Sequence, residues 1–147
     1  MNLNKYKWQI LDQNMDLNLS LSERLLNLRK IKNKELFLAP NFTAHLHSPL
    51  LMKDMGKATS LILDFIKQNK RIIVFGDYDA DGVTATTLLY SFLKEVGANC
   101  GYYLPHRLKD GYGITPSGVD IAKSQGAELI ITVDNGIVAN EAVEFAK

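Results

Sequence analysis

Residues 71–82 read RIIVFGDYDADG. The four consecutive apolar residues from Ile72 to Phe75 are typical of a strand that is buried on both faces of a parallel sheet. Two further strand-like runs begin near residues 100 and 129, and a helical pattern precedes each of them. These intervals match βαβ units, so the sequence predicts an α/β fold with a parallel sheet and right-handed crossovers.

The predicted elements follow from local signals. We expect strands over residues 72–75, 100–104 and 129–133, and helices over residues 83–96 and 115–126 and from residue 139 or 140 onward. Thr115 supplies a hydroxyl cap and Pro116 suits the first turn of a helix, which Gly126 then ends. Ligands of such sheets bind beyond the carboxyl ends of the strands, so functional residues are sought there.

Residues 1–70 predict a mostly helical accessory segment. Ser20 and Glu23 have the spacing of a capping box, and a leucine-rich face then predicts a helix that ends near Asn33, with a short helix after it. Residues 40–49 predict a loop that carries His45 and His47 on the surface. Apolar residues at helical spacing over 55–66 predict a helix that packs on the element that follows it in the chain. We place the domain boundary between residues 70 and 71.

Composition excludes several classes of protein. The 147 residues carry a net charge of +1, and 46% of them are hydrophobic, which is typical of a globular protein. No apolar run approaches the roughly 20 residues that span a bilayer, so no membrane partner is expected. The single cysteine, Cys100, excludes a disulfide framework, and a reducing cytoplasmic setting fits best. Tyr6, Trp8 and Cys100 are expected to serve in packing.

The near-neutral total hides an asymmetry of charge. Residues 1–75 hold 12 Lys or Arg and 6 Asp or Glu, whereas residues 76–147 hold 5 and 10. A basic surface on the first part could attract a polyanion, and the acidic second part could hold cations. An ordinary solvated surface explains the counts equally well.

Four carboxylates are expected at one edge of the sheet. Asp77, Asp79 and Asp81 follow the first strand, and Asp134 follows the third. Because like charges repel, such a cluster is best explained as oxygen ligands for hard divalent metal ions. A role as helix caps would account for one aspartate but not for four.

Two other motifs compete for the same acids. An EF-hand loop counted from Asp77 would need a bidentate carboxylate at position 88, which is Leu88, and it would follow a helix instead of a strand. We reject it. The stretch from Asp79 to Val83 also resembles the nucleophile motif of haloacid-dehalogenase phosphatases, in which the first aspartate forms an aspartyl-phosphate. In that family the aspartate usually follows its strand directly, whereas three residues intervene here.

A glycine-rich loop follows the second strand at the same edge. It carries His106, Arg107, Gly111, Tyr112 and Gly113. Arginine can donate two parallel hydrogen bonds to a phosphate, and the glycines allow backbone N–H groups to approach it, so the loop is a candidate anion site. Tyr112 could stack on a base or merely pack. An ordinary surface loop with two cations is the simpler alternative.

Three motifs together resemble the DHH phosphoesterases. They are GDYDADGVTAT at residues 76–86, HR at 106–107 with GYG at 111–113, and TVDNG at 132–136. FLAP at residues 37–40 and MKDM at 52–55 resemble the opening segment of the members that degrade single-stranded DNA. The resemblance covers nearly the whole chain, and it implies that residues 71–147 form the first part of a DHH domain.

The resemblance implies a two-metal hydrolase, with Mn²⁺ or Mg²⁺, that removes nucleotides from the 5′ end of single-stranded DNA in repair and recombination. By position in the motifs, Asp79 and Asp81 would each favour one ion and Asp134 would bridge both. Asp77 would be an additional ligand or would support the others. Two ions would lower the pKa of a shared water and neutralise the phosphate oxygens. The loop at 106–113 would hold a phosphate, and the basic first part would guide the strand.

The family's Asp-His-His motif does not follow Gly136, nor does its next metal-binding aspartate. We therefore expect the chain to be part of a longer enzyme, and to bind Mn²⁺ loosely without turnover by itself. Its third strand, apolar and at an edge, is expected to self-associate or to pair with another strand. Two alternatives stay open. One is a dehalogenase-type phosphatase of small molecules, and the other is a catalytically inactive DHH-like scaffold.

Overall fold

The structure is a computed structural model that describes Gln9 and residues 16–147. Tyr6 and Trp8 lie outside the described residues, whereas Cys100 is buried in the core as expected. No helix in the described part of the chain is long and apolar enough to cross a membrane. The chain divides into two compact units, with the boundary between Leu51 and Met52.

The first unit contains short helices. They are α1 (Leu21–Leu28), α2 (Lys34–Leu38) and α3 (Phe42–His45), followed by a 3₁₀ turn over Pro49–Leu51. The predicted capping box is confirmed, because Glu23 N–H donates to Ser20 Oγ while the Glu23 carboxylate accepts from Ser20 N–H. The predicted end near Asn33 is wrong. Lys30 adopts φ +53°, which ends α1 at Leu28, and Asn33 caps α2 instead.

The predicted loop over residues 40–49 is wrong in part, since α3 lies inside it. Asn41 caps this helix by accepting from Ala44 N–H at 2.9 Å, and Asn41 N–H donates to Nδ1 of His45 at 2.7 Å. His45 is half-buried, and its ring accepts this bond at the start of α3. His47 is exposed as expected.

The second unit has the predicted alternation of helices and strands. Its elements are α4 (Met55–Lys67), β1 (Ile72–Phe75), α5 (Ala80–Glu95), β2 (Cys100–Tyr103), α6 (Pro116–Ser124), β3 (Leu129–Thr132) and α7 (Asn140–Ala146). Thr115 caps α6 and Pro116 occupies its first turn, as predicted. The predicted start of α5 at Val83 is wrong by three residues, because Asp79 caps the helix.

The described strands form one parallel sheet in the order β2-β1-β3. Ile72 pairs with Cys100 on one side and Leu129 on the other, and this register continues to the ends of the three strands. All four residues of β1 have 0% exposure. The predicted α/β parallel sheet is confirmed. β3 forms an edge of this sheet, and its self-association stays a prediction.

The helices cover the sheet through apolar contacts. Ile62, Phe65 and Ile66 of α4 pack on a buried cluster that includes Ile72 and Leu93, so the predicted packing of α4 on the element that follows it is confirmed. α4 thus shares a core with β1, although it precedes the predicted domain boundary after residue 70. The domain boundary between residues 70 and 71 stays a prediction.

The contact between α6 and β1 depends on Gly118. A Cβ at this position would lie 2.7 Å from the Cζ atom of Phe75, whose ring is fully buried. We expect Gly118→Ala to lower the free energy of unfolding by about 1–3 kcal/mol, because the ring has to move in a packed core. Urea denaturation monitored by circular dichroism measures this effect.

Gly56→Ala is the matched control, since Gly56 also lies in the first turn of a helix and a Cβ added there would have no atom within 4 Å apart from its chain neighbours and the backbone of its own helix. This variant should be neutral or more stable by up to about 1 kcal/mol, because alanine favours helix. Equal losses in the two variants would contradict the proposed contact.

Candidate metal centre

Four carboxylates follow the carboxyl ends of β1 and β3. Because the two strands pair in register, the segments that follow them begin at the same edge of the sheet. The pKa of Asp134 is raised by desolvation of its carboxyl group and by the negative charges of Asp79, Asp81 and Asp77. The structure therefore brings the four predicted metal ligands within electrostatic reach of one another.

Asp77 is the buried member of this group. Its side chain has 0% exposure, and one oxygen, Oδ1, accepts from Tyr78 N–H at 2.7 Å. The other oxygen, Oδ2, is buried without a hydrogen-bond partner among the described residues. A buried acceptor in this state costs about 1–3 kcal/mol, so Asp77 is poorly explained by folding alone.

The other three aspartates are exposed. Asp79 caps α5, since its Oδ1 accepts from Asp81 N–H at 3.0 Å and from Gly82 N–H at 2.9 Å. The helix-cap interpretation is therefore correct for Asp79, and its second oxygen takes no part in the cap. Asp81 lies in the first turn of α5, and Asp134 adopts φ +54°, a left-handed conformation that is uncommon for residues other than glycine.

Close backbone packing holds Asp77 against the start of α5. A Cβ on Gly82 would lie 2.5 Å from the backbone oxygen of Asp77, and a Cβ on Gly76 would overlap Oγ1 of Thr86. Thr86 is buried and donates to the Gly82 carbonyl at 2.7 Å. Only glycine fits at both positions. No role of Thr86 is predicted from the sequence, although the two glycines on either side of the acids are a signal of close packing.

The donor chemistry of this edge fits a divalent ion. Carboxylate oxygens are the ligands that Mn²⁺ and Mg²⁺ prefer, and the buried Oδ2 of Asp77 lacks the partner that such an ion, or a group bound to it, would supply. Among the described residues, however, no three His, Cys, Asp or Glu side chains converge closely enough to hold an ion. Since like charges repel in the absence of an ion, side-chain rotation would have to bring the oxygens together around it.

The loop after β2 is fixed by Asp110, a residue that the sequence analysis did not single out. Asp110 Oδ2 accepts from His106 N–H at 2.6 Å and from the Tyr103 hydroxyl at 2.9 Å. These bonds lower the pKa of Asp110, while burial and the bond to Asp110 raise the pKa of Tyr103 to about 12. Nδ1 of His106 accepts from Leu108 N–H at 3.2 Å, which leaves Nε2 as the ring nitrogen that can donate to another group.

Arg107 lies beside the first acidic segment. Its guanidinium carbon is 5.6 Å from the centre of the Tyr78 ring, and Tyr78 stands between Asp77 and Asp79 in the chain. Tyr112 meets the edge of the same ring, with centroids 6.4 Å apart, and 66% of it remains exposed. The structure thus brings the predicted anion loop and the acids together.

The two glycines of this loop both have positive φ, +81° at Gly111 and +72° at Gly113. Glycine adopts this conformation without steric strain, which explains the residue type at each position. Gly113 is buried, and a Cβ there would lie 3.4 Å from Oδ1 of Asn135. The approach of their N–H groups to a phosphate stays a prediction.

Residues 71–147 match the family model described as the DHH family, N-terminal domain. The chain belongs to the DHH family. The match begins at the residue that precedes β1 and includes all the residues predicted for the site. The family resemblance of the three motifs is therefore confirmed, and DHH membership argues against the dehalogenase-type alternative. The strand before Asp77 likewise confirms the rejection of an EF-hand.

Relatives of this DHH chain share one name. The single-stranded-DNA-specific exonuclease RecJ of Escherichia coli is 45% identical over 97 residues, which are 65% of this chain and 17% of that protein. The protein of the same name from Bacillus subtilis is 35% identical, covering 97% of this chain and 20% of that protein. The chain thus spans a fifth or less of the length of these two relatives.

A solved structure is also similar to this DHH chain. The crystal structure of an exonuclease RecJ bound to manganese superposes with a TM-score of 0.60 and 36% sequence identity, over 67% of this chain and 26% of that one. This likeness agrees with the parallel α/β fold.

Asp110→Ala is expected to destabilise the chain at neutral pH, because the variant leaves the N–H of His106 and the hydroxyl of Tyr103 without their acceptor. A carboxyl group with a lowered pKa contributes stability above its ordinary value of 3.8 and loses that contribution as the pH falls through the lowered pKa. The difference in unfolding free energy between wild type and variant should therefore be full at pH 7 and shrink below pH 3.8.

Urea denaturation at a series of pH values measures this difference. Tyr103→Phe removes one of the two donors and should give a smaller loss with the same pH dependence. A difference that stays constant down to pH 2 would show that Asp110 acts through packing and not through its charge.

Proposed function

We propose that this chain supplies the metal-binding carboxylates and the phosphate-binding loop of a two-metal exonuclease that degrades single-stranded DNA from its 5′ end, in DNA repair and recombination. The observation that carries the proposal is the meeting of charge-coupled carboxylates with an arginine-bearing loop at one sheet edge. The names of the relatives and the manganese in the related structure support it.

The proposed metal ligands divide between two ions, either Mn²⁺ or Mg²⁺. Asp79 would offer the oxygen that does not cap α5, Asp81 would offer its exposed carboxylate, and Asp134, which follows β3, would bridge the two ions. Asp77 supports the set from the buried side. Bound there, the ions would supply an activated water and neutralise charge on the phosphate in the transition state.

The loop after β2 would hold the phosphate. The Arg107 guanidinium can donate two parallel hydrogen bonds to phosphate oxygens, and the Nε2–H of His106 can donate a third. Asp110 holds the backbone of this segment at His106, which limits the positions that the two donors can take. The exposed part of Tyr112 is available for stacking on a base.

The remaining predictions from sequence complete the proposal. Residues 1–70 would act as an accessory segment, and residues 71–147 as the first part of the DHH domain. The excess of positive charge in residues 1–75 would attract the DNA backbone electrostatically. The enzyme would work in the cytoplasm, where its nucleic-acid substrate lies.

Asp79→Asn and Asp134→Asn should each lower hydrolysis by more than about 100-fold, because each removes a charged metal ligand. The assay follows release of nucleotide from a 5′-labelled oligonucleotide in excess Mn²⁺. The protein assayed is this chain joined to the region of its relatives that lies outside the match. Folding should be retained, since asparagine also caps helices and the loss of one charge relieves repulsion.

Asp120→Asn is the control, because Asp120 is an exposed carboxylate on α6. It should leave both hydrolysis and stability unchanged. Full activity in Asp134→Asn would contradict the assignment of the site. A wild-type protein that neither binds Mn²⁺ nor hydrolyses the oligonucleotide would favour the inactive-scaffold alternative.

Arg107→Ala should weaken binding of single-stranded DNA and lower the slope of log affinity against log salt by roughly one phosphate contact. Fluorescence anisotropy of a labelled oligonucleotide at several salt concentrations measures the slope. Lys94→Ala is matched in charge, and Lys94 lies in the last turn of α5, far from the end that carries the acids. If the two variants change the slope equally, Arg107 contributes only to the net charge.

A further inference from the structure

We infer that Asn135 is a positioning residue, which locks the carboxyl ends of β1 and β3 together and so sets the spacing of the carboxylates that follow them. The inference rests on the proposed function, since it concerns the same metal centre. In the sequence, Asn135 is part of the TVDNG motif, and the pattern alone assigns it no role.

The side-chain amide of Asn135 joins the two strands directly. Its Nδ2 donates to the carbonyl oxygen of Phe75, the last residue of β1, at 3.1 Å, and to that of Val133, just after β3, at 2.8 Å. The Phe75 carbonyl also accepts from Val133 N–H at 2.9 Å. One side chain thus adds a cross-link at the point where the backbone ladder between the strands ends.

The orientation of the amide follows from these partners. Only the NH₂ group can donate, so two carbonyl oxygens on one side place Nδ2 there and Oδ1 on the other side. Oδ1 is buried, has no partner among the described residues, and faces the backbone of Gly113. The amide therefore lies where the two acidic segments and the phosphate loop meet.

Asp134 lies between the two residues that make this cross-link. Val133 bonds to β1 through its backbone and Asn135 through its side chain, which leaves Asp134 at φ +54° between two fixed points. The three other carboxylates are attached to β1 through Gly76. Loss of the amide would leave the Val133 backbone bond as the single link at this end of the two strands, and the separation between Asp134 and those carboxylates would then be less closely fixed.

A general structural role would lower stability without singling out the metal centre, so the test compares two asparagines. Asn99 also links elements of this sheet, since its Nδ2 donates to the Asn69 carbonyl at 3.2 Å and its Oδ1 accepts from Arg71 at 3.0 Å. It precedes β2, so it lies at the amino ends of the strands, whereas the carboxylates follow the carboxyl ends. Asn99→Ala is therefore the matched control for Asn135→Ala.

Two readouts are measured on the full chain. Amide hydrogen exchange reports whether Val133 N–H becomes unprotected relative to the amides of β1, and it needs no metal. Titration with Mn²⁺ alone, followed by the loss of the free-ion electron paramagnetic resonance signal, gives the dissociation constant. Asn135→Asp, which has the same shape but cannot donate to carbonyls, replaces Asn135→Ala in the exchange experiment if the alanine variant does not fold.

For Asn135→Ala we expect exchange at Val133 to rise selectively and the Mn²⁺ dissociation constant to rise about 10- to 100-fold, as is usual for residues that orient metal ligands. Asn99→Ala should change neither, even if it lowers stability as much. Unchanged protection at Val133, or equal loss of Mn²⁺ affinity in both variants, would overturn the inference. A wild-type chain without Mn²⁺ affinity would contradict the proposed function, and exchange at Val133 would then decide for or against the lock.

Discussion

In-register parallel pairing of β1 with both of its neighbours is the constraint on which the candidate site depends. β1 is only four residues long and fully buried, and its ends are level with those of β2 and β3. Beyond the strands the ladder continues for one more bond on each side, from Gly76 N–H to Tyr103 and from Val133 N–H to Phe75. Three segments that are far apart in the chain therefore leave the sheet at one level, where they can act on one ligand.

The site itself is unfavourable for folding. It contains a buried carboxylate oxygen of Asp77 and a buried amide oxygen of Asn135 without partners among the described residues, and Asp134 has a strained backbone. Unpartnered buried acceptors cost about 1–3 kcal/mol each, and a non-glycine residue with left-handed φ costs about 1–3 kcal/mol more. A divalent ion at this edge would offset the repulsion between the acids. Burial of the apolar side chains around β1 therefore has to offset the free-energy cost of the residues at this edge.

Local signals explain which parts of the fold could be predicted. The α6 helix is predictable from Thr115, Pro116 and Gly126, because a cap, a first-turn proline and a terminal glycine act within a few residues. The start of α5 is harder to predict because Asp79 both caps a helix and belongs to an acidic cluster, and the second property hides the first. The four-residue α3 has too few residues for a periodic pattern, and its capping asparagine is equally typical of a loop.

The gathering of carboxylates was predictable from topology, since parallel strands end at one edge. The bonds that shape the site were not, because they join residues that are distant in sequence or that have no distinctive pattern. Asn135 and Phe75 are 60 residues apart. Asp110 looks like an ordinary surface acid until Tyr103 and His106 are seen to donate to it.

The hydrogen bonds that Asp110 accepts help to explain how the Arg107 cation lies at the same edge of the sheet as several carboxylates. Both donors bind the same oxygen of Asp110, and within residues 16–147 Arg107 forms no ion pair, although the ring that it contacts, Tyr78, has an aspartate on either side in the chain. Its guanidinium lies over the Tyr78 ring instead. An arginine paired with one of the aspartates would neutralise a metal ligand and lose the two donors that a phosphate needs. The aromatic ring holds the cation without engaging its in-plane N–H groups, so the acids stay available to metal ions and the arginine to a phosphate.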